Sequence, residues 1–294
     1  MNIYEVITNQ IIEAIESKKV LPWKRPWKQY SDGAAIPRNL CSKKAYRGIN
    51  AFLLALQPVS SSYWVTFKQA RALKGSVRKG EKGTPILYWS IAEKEEKEEK
   101  ETGKKERYCF ARFYTVFNIE QCTGIKAPKE EEITLCDTVK IERCESIIEG
   151  YTDKPEIKEG RDQAFYSPAQ DLINMPLKGS FEKSEHFYAT LFHELGHSTG
   201  HKSRLNRNEI SERAFFGSSD YSKEELVAEM AASFLAAESG ISPVTFEESV
   251  SYLDGWLKIL KANSRLIVDA AASAQKAVDW ILKKNAADMS QEDE

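Results

Sequence analysis

The sequence predicts an α+β protein of two domains. Three observations lead to this prediction. The length of 294 residues exceeds that of one ordinary domain. Aromatic, strand-like runs occupy the first part of the chain, and helical patterns dominate the second. Charge also divides unevenly, because residues 1–92 carry 15 Lys and Arg against 5 Asp and Glu, whereas the remainder carries 27 against 39. We place the domains at residues 1–127 and 128–285, followed by a polar tail at 286–294.

The first domain is predicted to combine helices with a pair of aromatic strands. Apolar residues at helical spacing predict an opening helix over residues 3–18, which stops before Pro22 and Pro26 because proline disfavours helix. Short helices are expected in AYRGINAFLLALQ and in WVTFKQARALKG, and strands in TPILYWSI and RYCFARFYTVFNI, which are rich in aromatic and β-branched residues. The charge run between these strands, EKEEKEEKETGKKE, is expected to be a solvated hairpin loop.

The second domain is predicted to be mostly helical with a small sheet. Pro128 and the acidic run beside it mark the boundary. The segment AFYSPAQDLINMPLKGSF carries two prolines and is typical of extended, edge-type structure. Helices are expected from Ser184 as N-cap, from Ser222 as N-cap to an end at Gly240, and in three further segments. These three are CESIIEGY, FEESVSYLDGWLKILKAN and SRLIVDAAASAQKAVDWILKK.

Composition argues against a secreted or membrane-spanning protein. The N-terminus has no charged region followed by an apolar run, so it does not resemble a signal peptide. No stretch approaches the roughly 18 continuous apolar residues of a spanning helix. The five cysteines form an odd set without a CxxC pair, which is typical of a reducing cytoplasm rather than a disulfide framework.

The strongest motif is His-Glu-Leu-Gly-His at residues 193–197, within a predicted amphipathic helix. All four histidines of the chain fall between positions 186 and 201. Because His193 and His197 are four residues apart, a helix projects both imidazoles from one face, where they can bind a single cation. This spacing predicts one zinc ion in a site of the catalytic kind, with three protein ligands and one open position.

The third zinc ligand is expected on a later helix. His201 continues the four-residue spacing, but it drifts around the helix and lies about two turns from His193. Position 203, ten residues after His193, is Ser. From the segment EELVAE we select Glu225 and Glu229, which lie four residues apart. We predict that Glu225 binds the metal and that Glu229 orients a ligand histidine, with the exchanged assignment left open.

Two further side chains are candidates for the chemistry. Glu194, beside the two histidines, can act as the general base that takes a proton from the attacking water. Tyr221 precedes the EELVAE segment and can donate a hydrogen bond to a tetrahedral oxyanion, with ordinary aromatic packing as the alternative. These residues favour hydrolysis of a peptide bond, although the motif alone does not distinguish an active peptidase from a metal site that has lost its substrate.

The first domain combines cations with aromatic side chains, the two features that nucleic-acid binding without strong sequence preference requires. Prolines precede the tryptophans Trp23 and Trp27 and predict a loop, in which each ring either stacks on bases or fills the core. The aromatic content favours single-stranded over duplex partners. We expect the nucleic-acid contacts to come from Trp23, Lys24, Arg25, Trp27, Lys28, Arg47, Trp64, Lys68, Arg78 and Lys79.

Several stretches of the chain resemble one known family. In order, they are PWKRPW, YRGIN, YWVTFKQARALKGSVRKGEKG, VFNIEQCTG, FHELGHSTGHKSRLNR and EELVAEMAASFLAAESGI. This combination resembles ArdC-type antirestriction proteins of conjugative plasmids, in which a single-stranded-DNA-binding domain precedes a zincin-like metallopeptidase domain. The resemblance implies metal roles for His193, His197 and a glutamate of EELVAE, with Glu194 as base. It also implies protection of incoming DNA from host restriction, in the cytoplasm.

Three hypotheses for function follow. The first is an antirestriction protein that binds single-stranded DNA and uses one zinc ion to hydrolyse a peptide bond, with a host protein such as a restriction component as a candidate substrate. The second is a pure DNA-binding module that shields transferred strands, with a zinc ion that only stabilises the second domain. The third is a protease that processes proteins of a mobile element and uses DNA binding for localisation.

Overall fold

The computed structural model describes residues 2–18, 21–24, 36–93, 107–126, 128, 137–207, 219–241 and 250–284. Within these ranges the helices are α1 (Ile3–Lys18), α2 (Ile49–Ala55), α3 (Phe67–Ala72), α4 (Asp137–Gly150), α5 (Ser184–Ser198), α6 (Ser219–Ser239), α7 (Val250–Ala262) and α8 (Leu266–Ile281). The strands are β1 (Arg38–Asn39), β2 (Tyr63–Thr66), β3 (Ser76–Val77), β4 (Thr84–Glu93), β5 (Arg107–Asn118), β6 (Cys122–Thr123), β7 (Glu156–Glu159), β8 (Phe165–Ser167) and β9 (Leu172–Met175). The predicted α+β class is confirmed.

A four-stranded sheet in the order β1-β2-β5-β4 organises the first part of the chain. The two long aromatic strands β4 and β5 pair antiparallel, from Thr84 opposite Val116 to Glu93 opposite Arg107. The structure corrects the helix predicted in WVTFKQARALKG, because its first three residues belong to β2 and α3 begins only at Phe67. Tertiary pairing with β5 decides this boundary, since Trp64, Val65 and Thr66 lie opposite residues 118, 117 and 116.

A smaller sheet, in the order β7-β9-β8, lies against the helices of the second part. Strand β9 runs parallel to β7 and antiparallel to β8. Strands β8 and β9 confirm the extended structure expected for AFYSPAQDLINMPLKGSF, and both contact α5. The edge strand β8 therefore borders the helix that carries the His-Glu-Leu-Gly-His motif.

The main hydrophobic core joins helices from both ends of the chain. Ile7 and Ile11 of α1 and Phe52 of α2 belong to the same buried cluster as Phe234 of α6 and Val278 of α8. The rings of Phe52 and Phe234 lie 4.8 Å apart. The sheet formed by β1, β2, β4 and β5 adds two smaller clusters of its own. The opening helices thus stabilise the helical layer that contains the motif.

Helix ends differ in part from the prediction. Helix α5 begins at Ser184, but the residue that caps it is Lys183, without a side-chain hydrogen bond. Helix α6 begins at Ser219, so Ser222 lies inside the helix and is not its cap. The predicted stop at Gly240 is confirmed by its positive φ of 80°.

The charge run at 94–106 and the tail at 286–294 lie outside the described residues. Among the helices described, none has the length and apolar character that crossing a membrane requires.

Candidate metal centre

Helix α5 brings the two motif histidines together. The Nε2 atoms of His193 and His197 lie 3.1 Å apart. Their rings are nearly perpendicular, with an interplanar angle of 84° and centroids 4.7 Å apart. Both Nε2 atoms therefore point into one small space, as the four-residue spacing on a helix requires.

Glu225 of α6 completes a cluster of three ligand atoms. Its carboxylate oxygens lie 3.7 Å from Nε2 of His193 and 3.5 Å from Nε2 of His197. All three ligand atoms fall within 4.8 Å of one another. Ligands at about 2.0–2.2 Å in a tetrahedron are separated by roughly 3.3–3.6 Å, so this donor set fits a zinc-sized divalent ion. The structure thus brings together the three residues predicted as ligands.

The close approach of α5 and α6 depends on Gly196. A Cβ atom at this position would lie 3.2 Å from Cα and 3.3 Å from the carbonyl oxygen of Ala228, so any side chain would press against the backbone of α6. Leu195 of α5 and Leu226 of α6 are fully buried and belong to the same core cluster. Because Ala228 lies one turn beyond Glu225, the missing side chain at position 196 allows that carboxylate to reach the histidines.

His197 is oriented by Glu224, a residue that the sequence analysis did not single out. The Nδ1 atom of His197 lies 3.2 Å from Glu224 Oε1, which leaves Nε2 to face the cluster. Burial alone would lower the pKa of His197, but the bonds to Glu224 and Glu225 raise it to about 10. Burial also acts to raise the pKa of Glu224, but Arg207 and His197 together hold it below its usual range. The signal available in the sequence was only that Glu224 adjoins Glu225.

Arg207 neutralises Glu224 inside the protein. Its guanidinium donates to both carboxylate oxygens, at 2.9 and 2.6 Å, and to the Thr199 hydroxyl at 2.6 Å. A further bond of 2.9 Å reaches the carbonyl oxygen of Gly196. The side chains of Arg207 and Glu224 are only 10% and 7% exposed. Arg207 therefore joins the chain segment after α5 to the start of α6 directly behind the metal cluster.

Glu229 does not make the contact predicted for it. Its carboxylate accepts a hydrogen bond of 2.6 Å from Nε1 of Trp23. Among the described residues it is not part of the cluster of possible ligands. The structure thus corrects the prediction that Glu229 orients a ligand histidine, because Glu224 makes that contact. Spacing along one helix does not reveal which carboxylate faces the neighbouring helix.

Glu194 is buried beside the cluster. Burial raises the pKa of its carboxyl, and the nearby charge of Glu225 acts in the same direction. His197 and a hydrogen bond from the backbone of Tyr166, on β8, act to lower it. A carboxylate with a raised pKa is better suited to accept a proton near neutral pH.

Two further residues near the motif are His201 and Tyr221. His201 lies beyond the end of α5, where its Nδ1 is 2.7 Å from the Ser203 hydroxyl and 4.0 Å from Asp171 Oδ2. Among the described residues, the cluster of possible ligands consists of His193, His197 and Glu225. Tyr221 belongs to α6, but its side chain lies outside the described part of the structure, so its role stays a prediction.

Arg204 fastens the turn after α5 to the small sheet. Its guanidinium donates to the carbonyl oxygen of Ser198 at 2.7 Å, to that of Asp153 at 2.9 Å, and to the Asp171 carboxylate. The Tyr166 hydroxyl, on β8, also bonds to this group at 3.2 Å. Sequence analysis missed this ion pair between buried Arg204 and half-buried Asp171, because the two residues lie far apart along the chain.

Two of the predicted stacking tryptophans are core residues. Trp23 and Trp64 are each only 1% exposed. Trp23 packs edge-to-face against Trp256, with centroids 5.7 Å apart, and Trp64 packs in a cluster with Leu54 and Ile86. The prediction that these two rings stack on bases is wrong, since a ring enclosed on all sides offers no face to a ligand.

The predicted cationic contacts divide into paired and exposed groups. Arg47 forms an ion pair with Asp279 of α8, and Arg78 lies 2.7 Å from Glu81. Lys68 and Lys79 are exposed. The side chain of Lys24 and residues Arg25, Trp27 and Lys28 lie outside the described residues. For these four, nucleic-acid contact stays a prediction.

Comparisons with known proteins assign the chain to a family. Residues 1–117 match the family described as the N-terminal domain of anti-restriction factor ArdC, and residues 142–273 match a zincin-like metallopeptidase family. The metal-free crystal structure of antirestriction ArdC protein from plasmid R388 superposes with a TM-score of 0.75 at 34% identity, covering 98% of each chain. The chain belongs to the ArdC antirestriction family. Its two parts are therefore an ArdC-type N-terminal domain and a zincin-like domain, as the resemblance implied.

A metal-bound structure and two further proteins are also similar to this chain. The Mn(II)-bound structure of the R388 protein matches with a TM-score of 0.74 and 34% identity, over 96% of this chain and 98% of that one. A protein called y4eC from Sinorhizobium fredii is 35% identical over 95% of this chain and 91% of its own length. DNA primase TraC of Escherichia coli is 38% identical over 95% of this chain, which spans only 27% of TraC.

Proposed function

We propose that this protein protects incoming DNA from host restriction by binding single-stranded DNA through its first domain and by using a metal-dependent peptidase site in its second. The observation that carries the proposal is the cluster of His193, His197 and Glu225 beside buried Glu194. As the family resemblance implies, we expect this activity in the cytoplasm and in the context of conjugative plasmid transfer. Cleavage of a host protein, such as a restriction component, is part of the proposal.

The donor set favours zinc as the resident ion. Two imidazole nitrogens and one carboxylate oxygen are typical of catalytic zinc sites, which keep one position open. Among the residues that the structure describes, this trio is the group of ligating side chains with suitable spacing. A divalent ion held there would act as a Lewis acid toward a carbonyl oxygen.

Glu194 provides the proton transfer that peptide hydrolysis requires. Its carboxylate takes a proton from the attacking water and returns it to the departing amine, so that one group serves both steps. Burial supports this role because it raises the pKa of Glu194 toward the working range of a general base.

Substitution of Glu194 by Gln tests the enzymatic part of the proposal. Unmodified plasmid DNA would be transferred into a restricting host that contains wild-type protein, Glu194→Gln or the control Glu182→Gln, which changes an exposed carboxylate before α5. We expect Glu182→Gln to protect fully and Glu194→Gln to lose protection while keeping its zinc content and oligonucleotide affinity. Full protection by Glu194→Gln would contradict a role for hydrolysis and favour shielding by the DNA-binding domain alone.

A substrate search separates the two protease hypotheses. Glu194→Gln is expected to retain substrates that the wild-type protein releases as products, because binding residues are unchanged. Quantitative proteomics of cells before and after plasmid transfer would compare cleavage products between the two proteins. Products from restriction enzymes would support the antirestriction mechanism, whereas products only from plasmid-encoded proteins would favour a processing protease.

A further inference from the structure

An exposed aromatic face lies on the sheet of the first domain. Alternate residues of a strand share one face, so Phe113, Thr115 and Phe117 of β5 point to the same side. Phe113 is 40% exposed, and Phe67, the first residue of α3, is 48% exposed. The ring of Phe67 lies 6.4 Å from that of Phe117. We call Phe67, Phe113 and Phe117 the phenylalanine face.

Local structure holds Phe67 in this exposed position. The Thr66 hydroxyl accepts the backbone N–H of Gln69 at 3.2 Å, and the Gln69 side chain accepts the backbone N–H of Thr66 at 2.8 Å. This capping box fixes the start of α3, and with it the direction of the ring that follows Thr66. An ordered, solvent-facing aromatic ring loses little conformational entropy when a flat ligand packs on it.

Positive charge lies beside the Phe67 and Phe117 end of the phenylalanine face. The Arg71 guanidinium lies 4.9 Å above the ring of Phe67. A Cβ atom at Gly83 would lie 2.3 Å from Thr115 Cγ2 and 2.9 Å from the Phe117 ring, so the basic turn that ends at Gly83 packs directly against the face. The cations in α3 and this turn are Lys68, Arg71, Lys74, Arg78, Lys79 and Lys82, and the acidic residue among them, Glu81, is paired with Arg78.

Cations beside accessible aromatic rings fit a ligand that carries both phosphates and flat bases. Unpaired bases can stack on side-chain rings, whereas bases inside a duplex are covered by their neighbours. A protein partner would need acidic groups matched to these cations around an apolar centre. The repeated basic residues around more than one aromatic ring favour a continuous polyanion.

We propose that the phenylalanine face, with Arg71 and the adjoining basic turn, is the surface on which this protein stacks bases of single-stranded DNA. The inference rests on the proposed function, because it assigns a location to DNA binding by the first domain. It replaces the stacking role that the sequence predicted for Trp23 and Trp64, whose rings are enclosed.

Fluorescence anisotropy with a labelled oligothymidylate tests this site in the full-length protein. Phe67→Ala and Phe113→Ala should each weaken binding by about 5- to 150-fold, the range expected for loss of one base–aromatic stack. Phe113→Tyr should retain affinity, since the ring remains. Tyr114→Ala is the matched control, because Tyr114 is 42% exposed on the opposite face of the same strand. Tyr114→Ala should change the affinity by less than about twofold. Loss of one base–aromatic stack would instead weaken binding by at least about fivefold.

A second measurement checks the electrostatic part. Arg71→Gln should reduce the magnitude of the slope of log affinity against log salt concentration by about one, the change expected when one phosphate contact is lost. Circular dichroism of each variant would establish that the fold is retained. Wild-type affinity of Phe67→Ala/Phe113→Ala would overturn the inference while the proposed DNA binding stands. A wild-type protein that does not bind the oligonucleotide would overturn the proposed function and the inference together.

Discussion

Replacement of Arg207 by Met tests how much the buried ion pair behind the metal cluster stabilises the fold. Methionine keeps much of the side-chain volume but removes the charge and every donor that Arg207 offers. The bonds to Glu224, Thr199 and the Gly196 carbonyl would be lost together. Glu224 would keep its contact to His197 but would lose the cation that neutralises its charge in the interior.

The expected loss of stability is large because both partners are buried. Arg207 and Glu224 are 10% and 7% exposed, so solvent screens their interaction little. Removal of one partner from a buried pair costs about 3–5 kcal/mol, since the other charge stays in a medium that solvates it poorly. That loss is a large fraction of the roughly 5–15 kcal/mol that stabilises an ordinary folded protein.

Urea denaturation followed by circular dichroism measures the change. The experiment is run with a chelator present, so that metal binding does not add to the free energy of unfolding. Arg207→Met should shift the midpoint by an amount equivalent to about 3–5 kcal/mol at constant m-value. The control Arg143→Met removes an exposed arginine of α4 and should change the free energy by less than about 0.5 kcal/mol.

A double variant distinguishes an unpaired charge from a simple packing defect. Arg207→Met/Glu224→Met removes both charges, so it should be more stable than Arg207→Met alone. If Arg207→Met loses less than about 1 kcal/mol, the pair behaves like a surface ion pair and the reasoning is refuted. The same conclusion follows if the double variant is as unstable as the sum of the two single ones.

Three further outcomes test other parts of the structure. Glu225→Gln should weaken zinc binding far more than Glu229→Gln does. Competition with a chromophoric chelator measures both affinities. Equal losses of zinc affinity in the two variants would contradict Glu225 as the ligand. Trp23→Phe removes the indole donor to Glu229, so the free energy of unfolding should fall by about 1–3 kcal/mol. Oligothymidylate affinity should stay unchanged, and weaker DNA binding would show that the ring is accessible after all. Burial acts to raise the pKa of Asp171, but hydrogen bonds, chiefly from Arg204, hold it below its usual range. The carboxylate therefore stabilises the fold above its unfolded pKa, and this contribution is lost as pH falls through the folded value. Asp171→Asn should be less stable than wild type at neutral pH, with the difference in melting temperature closing below about pH 4. A difference that persists in acid would contradict the pairing.

Local periodicity was sufficient to predict the elements whose residues interact mainly with their own helix or neighbouring strand. Helix α1 and the strands β4 and β5 follow from apolar spacing and aromatic content alone. Strand β2 did not, because WVTFKQ carries no local signal that separates Thr66, the last strand residue, from Phe67, the first helical one. Pairing with β5 sets that boundary, and the partner lies about fifty residues further along the chain.

Some features of the candidate metal site also follow from the sequence, whereas others depend on how the helices pack. The sequence by itself determined that His193 and His197 share one helix face, because helical geometry fixes residues four apart, and the family resemblance implied a ligand from EELVAE. Only the packing of α5 against α6 decided that Glu225 joins the cluster and that Glu224 orients His197. Rotation of one helix about its axis relative to another is set by the side chains between them.

Burial was the property least accessible from the sequence. Prolines around Trp23 predicted a loop, and aromatic residues in a basic domain predicted stacking, but neither observation states which rings the core encloses. The tertiary structure enclosed Trp23 and Trp64 and left Phe67 and Phe113 in solvent. Composition determined that the first domain carries cations and aromatic rings in the same region. Sheet register and helix packing decided which of those rings a ligand can reach, because exposure depends on contacts between residues that are distant along the chain.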